Sequence, residues 1–117
     1  MNRDPLVFIE HILESIELIE QYTDEISRWK FNETKSIQDS VVRRIEIIGE
    51  AVKNLPVDFV RKYNSIEWSK IARTRDRMIH HYFGVDLDEV LGVVKNDLPQ
   101  LKKQIQKIKE ELEAKNK

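Results

Sequence analysis

From Leu87 to Leu112 the apolar residues Leu87, Leu91, Val94, Leu98, Leu101, Ile105, Ile108 and Leu112 recur in alternating steps of four and three. A period of about 3.5 residues keeps one stripe turned toward neighbouring helices along the whole run, which a strand or loop cannot do. Pro99 falls inside the stripe. A proline there removes the hydrogen bond to residue 95 and predicts a kink. Elsewhere the chain has few places to stop a helix, because its 117 residues include only three glycines and three prolines. The expectation is a small number of long helices.

Two more stripes repeat the pattern. Asp4-Pro5 is a start signal, with Asp at the N-cap and Pro in the first helical position. Leu6, Ile9, Ile12, Leu13, Ile16 and Ile19 then predict a helix to about Tyr22. Ile37, Val41, Ile45, Ile48, Val52 and Leu55 form the second stripe, closed by Asn54 and Pro56. The polar stretch 23–35 between them predicts an extra turn around Ile26 and Trp29, followed by a loop. A short helix is expected over Val57–Tyr63. Another is expected from Trp68 to His81 with Gly84 as its stop, and the last begins near Asp86 and Leu87. No strand pattern or internal repeat is present. The fold class is therefore all-α, a single domain over residues 1–117 built as an antiparallel four- to five-helix bundle. The end, rich in lysine, is expected to fray.

The composition excludes several function classes. Cysteine is absent, which removes thiolate chemistry, disulfides and cysteine metal sites and fits a reducing cytoplasm. No basic segment leads into an apolar run at the N-terminus, and no stretch approaches the length of a membrane span, so a cytoplasmic protein without membrane contact is expected. The net charge of −1 argues against a broad, non-specific nucleic-acid binder. The charge is uneven, however. Residues 1–25 hold Arg3 against seven carboxylates, whereas residues 61–82 hold six Lys and Arg against Glu67 and Asp76. An anion bound at one place fits that distribution better than a charged face.

The basic sector contains the chain's densest chemistry. Arg75, Arg77, His80, His81 and Tyr82 fall within eight residues, and the one other histidine is His11. Arginine offers a permanent planar charge that binds a phosphate bidentately, and histidine exchanges a proton near neutral pH. Each also has a bland reading, a solvated helix face for the arginines and a helix-end histidine for His80. On a continuous α-helix Arg75 and Tyr82 share a face, whereas Arg75 and His80 stand about 140° apart. Either the helix breaks near His80 or a second copy of the motif completes the site, as a two-fold dimer allows. Asp76, four residues before His80, could orient its ring. Glu46 and Glu50, one turn apart, could pair with the motif arginines. No metal-ligand spacing is present, and neither a metal nor a cofactor is expected.

Arg75, His80 and Tyr82 form R-x-x-x-x-H-x-Y. This resembles the signature of the HEPN superfamily, and within it the HepT-like toxin of the HEPN–minimal-nucleotidyltransferase pair. The likeness extends along most of the chain through Ile45-Glu46-Ile47-Ile48-Gly49-Glu50-Ala51, Ile66-Glu67-Trp68, His81-Tyr82-Phe83-Gly84-Val85-Asp86 and Asn96-Asp97-Leu98-Pro99. Many relatives have Asn where this chain has Asp76. The resemblance implies the toxin of a type II/VII-like toxin–antitoxin module. It would be a metal-independent ribonuclease whose Arg75 and His80 are catalytic, with Asp76, Arg77 and His81 in support, in a site completed across a homodimer. It further implies that a cognate nucleotidyltransferase antitoxin inactivates the RNA-cutting site by placing AMP on Tyr82. A different class stays open, a non-catalytic HEPN module that binds a nucleotide or a partner. Trp29, Phe31, Trp68 and Phe83 add more apolar surface than one core obviously needs, which points the same way as the dimer.

Overall fold

The computed structural model of the chain describes residues 4–80 and 86–115. The order is α1 (Pro5–Tyr22), α2 (Arg28–Glu33), α3 (Lys35–Lys53), α4 (Val57–Lys62), α5 (Trp68–His80), α6 (Leu87–Gly92), a π turn (Val93–Asp97) and α7 (Leu98–Lys115). Among the described residues the secondary structure is entirely helical. No helix there is long and apolar enough to cross a membrane.

The boundaries follow the capping chemistry. The Asp4 carboxylate accepts the Leu6 N–H ahead of Pro5, and the Asp86 carboxylate accepts the N–H groups of Asp88 and Glu89. Each satisfies donors that a helix start otherwise leaves without partners. Glu25, at φ 53°, turns the chain between α1 and α2 through the left-handed region. The extra turn expected around Ile26 and Trp29 is α2, which starts two residues after Ile26 and runs on to Glu33, where a loop was expected. The Ser27 hydroxyl accepts the Lys30 N–H, and Phe31 is driven fully into the core.

The stripes read from the sequence are the core. Ile9, Ile12, Ile16 and Ile19 of α1 are completely buried, as are Val41 of α3 and Ile105 of α7. Ile45, Ile48, Val52, Leu98, Leu101 and Ile108 join them. Each such side chain contributes about 1.5–3 kcal/mol relative to exposure. Helix α3 packs between α1 and α5, and α7 lies along α1. Lys102, near the start of α7, reaches Glu20, near the end of α1, at 2.8 Å, so these two helices run in opposite directions.

Two expectations change in form. The disturbance predicted at Pro99 is met one turn earlier, where the π turn lets the Leu98 N–H bond back to the Val93 carbonyl. The wider turn takes up the register that the missing Pro99 donor would break. The C-terminal segment does not fray within the described residues. It stays helical to Lys115, and the Tyr63 hydroxyl donates to Glu111 at 2.9 Å, tying α4 to the end of α7. Burial and that bond together push the Tyr63 phenol above its ordinary range.

Candidate active site on α5

Arg75 is held by a gap in the neighbouring helix. A Cβ built on Gly49 of α3 would stand 2.3 Å from the Arg75 Cβ and 2.4 Å from its Cγ. The Arg75 stem therefore lies where any other residue of α3 would put its own side chain. From there the guanidinium reaches Glu50 of α3 through Nη2 at 3.4 Å and Asp76 through Nη1 at 3.1 Å. Its Nε is buried without a partner among the described residues, while about a fifth of the side chain (21%) stays accessible. A buried donor left unpaired is uncommon, and it marks Arg75 as held by its stem rather than by full satisfaction of its donors.

Asp76 joins two cations. The same carboxylate oxygen that accepts from Arg75 accepts from Lys53 Nζ at 2.6 Å. The Lys53 ammonium, and then the Arg75 guanidinium, hold the Asp76 carboxyl below the usual carboxylate range. Asp76 is thus an anion that sets Lys53 of α3 beside Arg75 of α5. Of the two acidic residues expected near the motif, Glu50 does reach Arg75, whereas Glu46 pairs with Arg43 on its own helix at 3.4 Å. Arg77 is turned to α6, where Glu89 accepts from its Nε at 2.9 Å and its Nη2 at 2.6 Å. That clamp fixes the end of α5 against the start of α6.

The backbone of α5 continues as helix through His80. The positions of Arg75 and His80 therefore stand about 140° apart around one axis. The expectations for His81, Tyr82, Phe83 and Gly84 lie outside the described residues. Two of the aromatic residues counted as surplus apolar surface are core. Phe31 is fully buried, and Trp68 is 5% exposed with its ring N–H donating to the Tyr63 carbonyl. Sequence reasoning missed Gly49 as the seat of Arg75 and Lys53 as its neighbour. Gly49 carried a signal, since an isolated glycine inside an apolar helical stripe often marks close packing. Lys53 carried none.

On the adjoining face of α5 a groove of about 120 Å³ opens against α3 and α7. Its floor is Ile45, Ile48, Ile71 and Leu101, and the Lys70–Asp97 pair at 4.0 Å spans its rim.

An all-α bundle that carries an Arg-His motif on a helix packed against a glycine is the class these features define. The chain belongs to the HepT-like ribonuclease family of the HEPN superfamily, whose profile matches residues 12–108. It is 55% identical over 113 residues to a gamma-glutamylcyclotransferase and candidate RNase of Methanocaldococcus jannaschii. That match takes in 97% of this chain but spans only about half (51%) of the relative. It is 46% identical to the probable ribonuclease HepT of Thermococcus cleftensis, covering 93% of this chain and 99% of that one. A candidate RNase of Caldanaerobacter subterraneus is 38% identical over 91% of this chain and 95% of its own length. No solved structure matches the chain.

Proposed function

We propose that the chain is a metal-independent endoribonuclease, the toxin of a toxin–antitoxin module, acting in the cytoplasm as a homodimer of one-domain subunits. The observation that carries this reading is Arg75, seated on Gly49 in a member of a ribonuclease family, with His80 on the same uninterrupted helix. Two positions 140° apart do not readily meet one phosphate from one helix, and this favours a site shared across a two-fold axis. There, one His80 takes the proton of the RNA 2′-hydroxyl while its oxygen attacks phosphorus. The other His80 protonates the departing 5′-oxygen, leaving a 2′,3′-cyclic phosphate. The two Arg75 guanidinia stabilise charge on the phosphoryl oxygens. Asp76, Arg77 and His81 support the site. Incoming phosphate has to displace Glu50, whose contact with Arg75 is long at 3.4 Å.

Tyr82 is the control point in this reading. The partner nucleotidyltransferase brings ATP, the phenol oxygen attacks the α-phosphorus, and pyrophosphate leaves. The resulting AMP phosphate competes with RNA for the motif arginines. The decisive experiment is RNA cleavage with EDTA present, comparing wild type with His80→Ala and Arg75→Ala. Both variants should be inactive while folded. Undiminished cutting by both would overturn the assignment.

A second reading, a non-catalytic HEPN module that binds a nucleotide or the nucleotidyltransferase, is favoured by one observation. The Arg75 charge is flanked by two carboxylates in the single chain. A protein that never cuts RNA yet forms a stoichiometric complex with that enzyme decides for this alternative.

A further inference from the structure

Helix α2 presents a tryptophan to water. Phe31 is its inward anchor, fully buried, and the Gln38 side-chain amide donates to the carbonyls of Phe31 and Asn32 from α3. Two residues earlier, about 200° around the helix, Trp29 points away from the core and is 70% exposed. A lone exposed apolar side chain is ordinary. Trp29 differs in its surroundings. Arg28 and Lys30 flank it, and both are exposed. A chain of ion pairs then links it to the motif helix. Arg28 meets Asp88 of α6 at 3.8 Å, and the next residue, Glu89, holds Arg77 of α5 at 2.6 Å.

We propose that Trp29 is a stacking platform for an unpaired base of single-stranded RNA, with Arg28 and Lys30 against the adjoining phosphates. The inference rests on the ribonuclease reading above and adds a substrate subsite to it. Aromatic faces bind bases of any identity, and neighbouring cations follow the backbone, which together make a sequence-tolerant grip on a single strand. A protein partner is the poorer fit. An interface core needs contiguous apolar surface, whereas Arg28, Lys30, Asn32 and Glu33 around Trp29 are exposed and polar. The ion-pair chain places the platform at the end of the bundle where α5 gives way to α6. A strand held there lies on the Arg77 side of α5, two residues along the helix from Arg75.

The test uses tryptophan emission of the full-length protein. Trp68 is buried and hydrogen-bonded, so quenching by a solute reports Trp29. The probe is a single-stranded 2′-O-methyl decamer, which cannot be cleaved through its 2′-oxygen, compared with the same decamer in a duplex. The single strand should quench and the duplex should not. Trp29→Ala should weaken binding of the decamer about ten-fold, in line with one lost base stack, and raise KM for RNA cleavage by a similar factor with kcat nearly unchanged. Trp29→Phe should restore most of the loss, and unchanged circular dichroism guards against misfolding. Wild-type protein that cuts RNA while Trp29→Ala matches it in KM sinks the platform and leaves the ribonuclease reading standing. A Trp29→Ala protein that changes oligomeric state and keeps its RNA affinity overturns the proposal in favour of a protein interface. Failure of wild type both to bind and to cut RNA removes the ribonuclease reading and this inference with it.

Discussion

Replacing Gly49 with alanine sets two effects of opposite sign against each other. In a helix interior alanine is ordinarily favoured over glycine by up to about 1 kcal/mol, through the entropy of the unfolded chain. Here the new methyl would meet the Arg75 Cβ at 2.3 Å, and a Cβ cannot swing aside as the tip of a side chain can. Helices α3 and α5 must separate, and overpacking of this kind costs about 1–3 kcal/mol. The clash wins, so Gly49→Ala should lower the urea midpoint and reduce RNA cleavage by displacing Arg75. A stabilised, fully active variant would refute the seat. Ser15 gives the opposite case. Its hydroxyl is buried, at 1% exposure, without a partner among the described residues. Ser15→Ala removes an unpaired polar group and should stabilise the fold by about 1 kcal/mol, read as a rise of a few degrees in Tm. At this scale the sequence singled out Arg75 and His80 as candidates, because groups able to bind phosphate and move protons are gathered in one short segment. It could not single out Lys53, whose role depends on meeting Asp76 across 23 residues of chain.

Between elements, the α3–α5 contact is charged at its exposed edge and apolar beneath. Lys53 and Asp76 are both about two-fifths exposed, so solvent screens the pair and its contribution to stability is modest. Its pH dependence nevertheless has a definite sign. The folded state lowers the Asp76 pKa, chiefly through the Lys53 hydrogen bond and then through Arg75. The stabilisation is therefore present above the ordinary carboxylate pKa of about 4 and is lost as pH falls through the lowered folded value. Asp76→Asn should show a lower Tm than wild type at neutral pH, and the gap should close in acid and narrow in high salt. A gap that stays constant into strong acid would remove the pairing from the account. Element positions were legible because helix starts and apolar stripes are local signals. Helix α2 was legible only as an extra turn near Trp29 and not in its extent, since its single inward residue, Phe31, shows no period in a polar stretch. The π turn was half legible. Pro99 announced a break in the helical register, but whether a bend or a wider turn absorbs it depends on what α7 packs against.

As a whole molecule the chain is elongated, 46 × 28 × 24 Å, with a radius of gyration of 14.7 Å. A compact chain of this length would have about 13.4 Å. The aromatic surplus that suggested a dimer is smaller than the sequence implied, because Phe31 and Trp68 are in the core. Large exposed apolar residues among the described ones come down to Val7, Trp29 and Val57, on three different helices. Among the described residues, therefore, no broad apolar face argues for association. The argument comes instead from the motif, whose Arg75 and His80 positions diverge around one continuous helix. An interface that brings two such helices together carries Arg75, Asp76 and Lys53 at or near its centre. Interfaces rich in charge and poor in apolar area are modest in affinity and respond to salt. The expected behaviour is a reversible dimer at micromolar concentration by light scattering, with the monomer fraction rising on dilution. In the proposed shared site each active centre takes a residue from both copies, so activity per chain should fall over the same dilution range as the dimer. A strictly monomeric protein that cleaves RNA at constant specific activity would eliminate the shared site. The mechanism would then need Arg75 and His80 of one chain to meet the same phosphate.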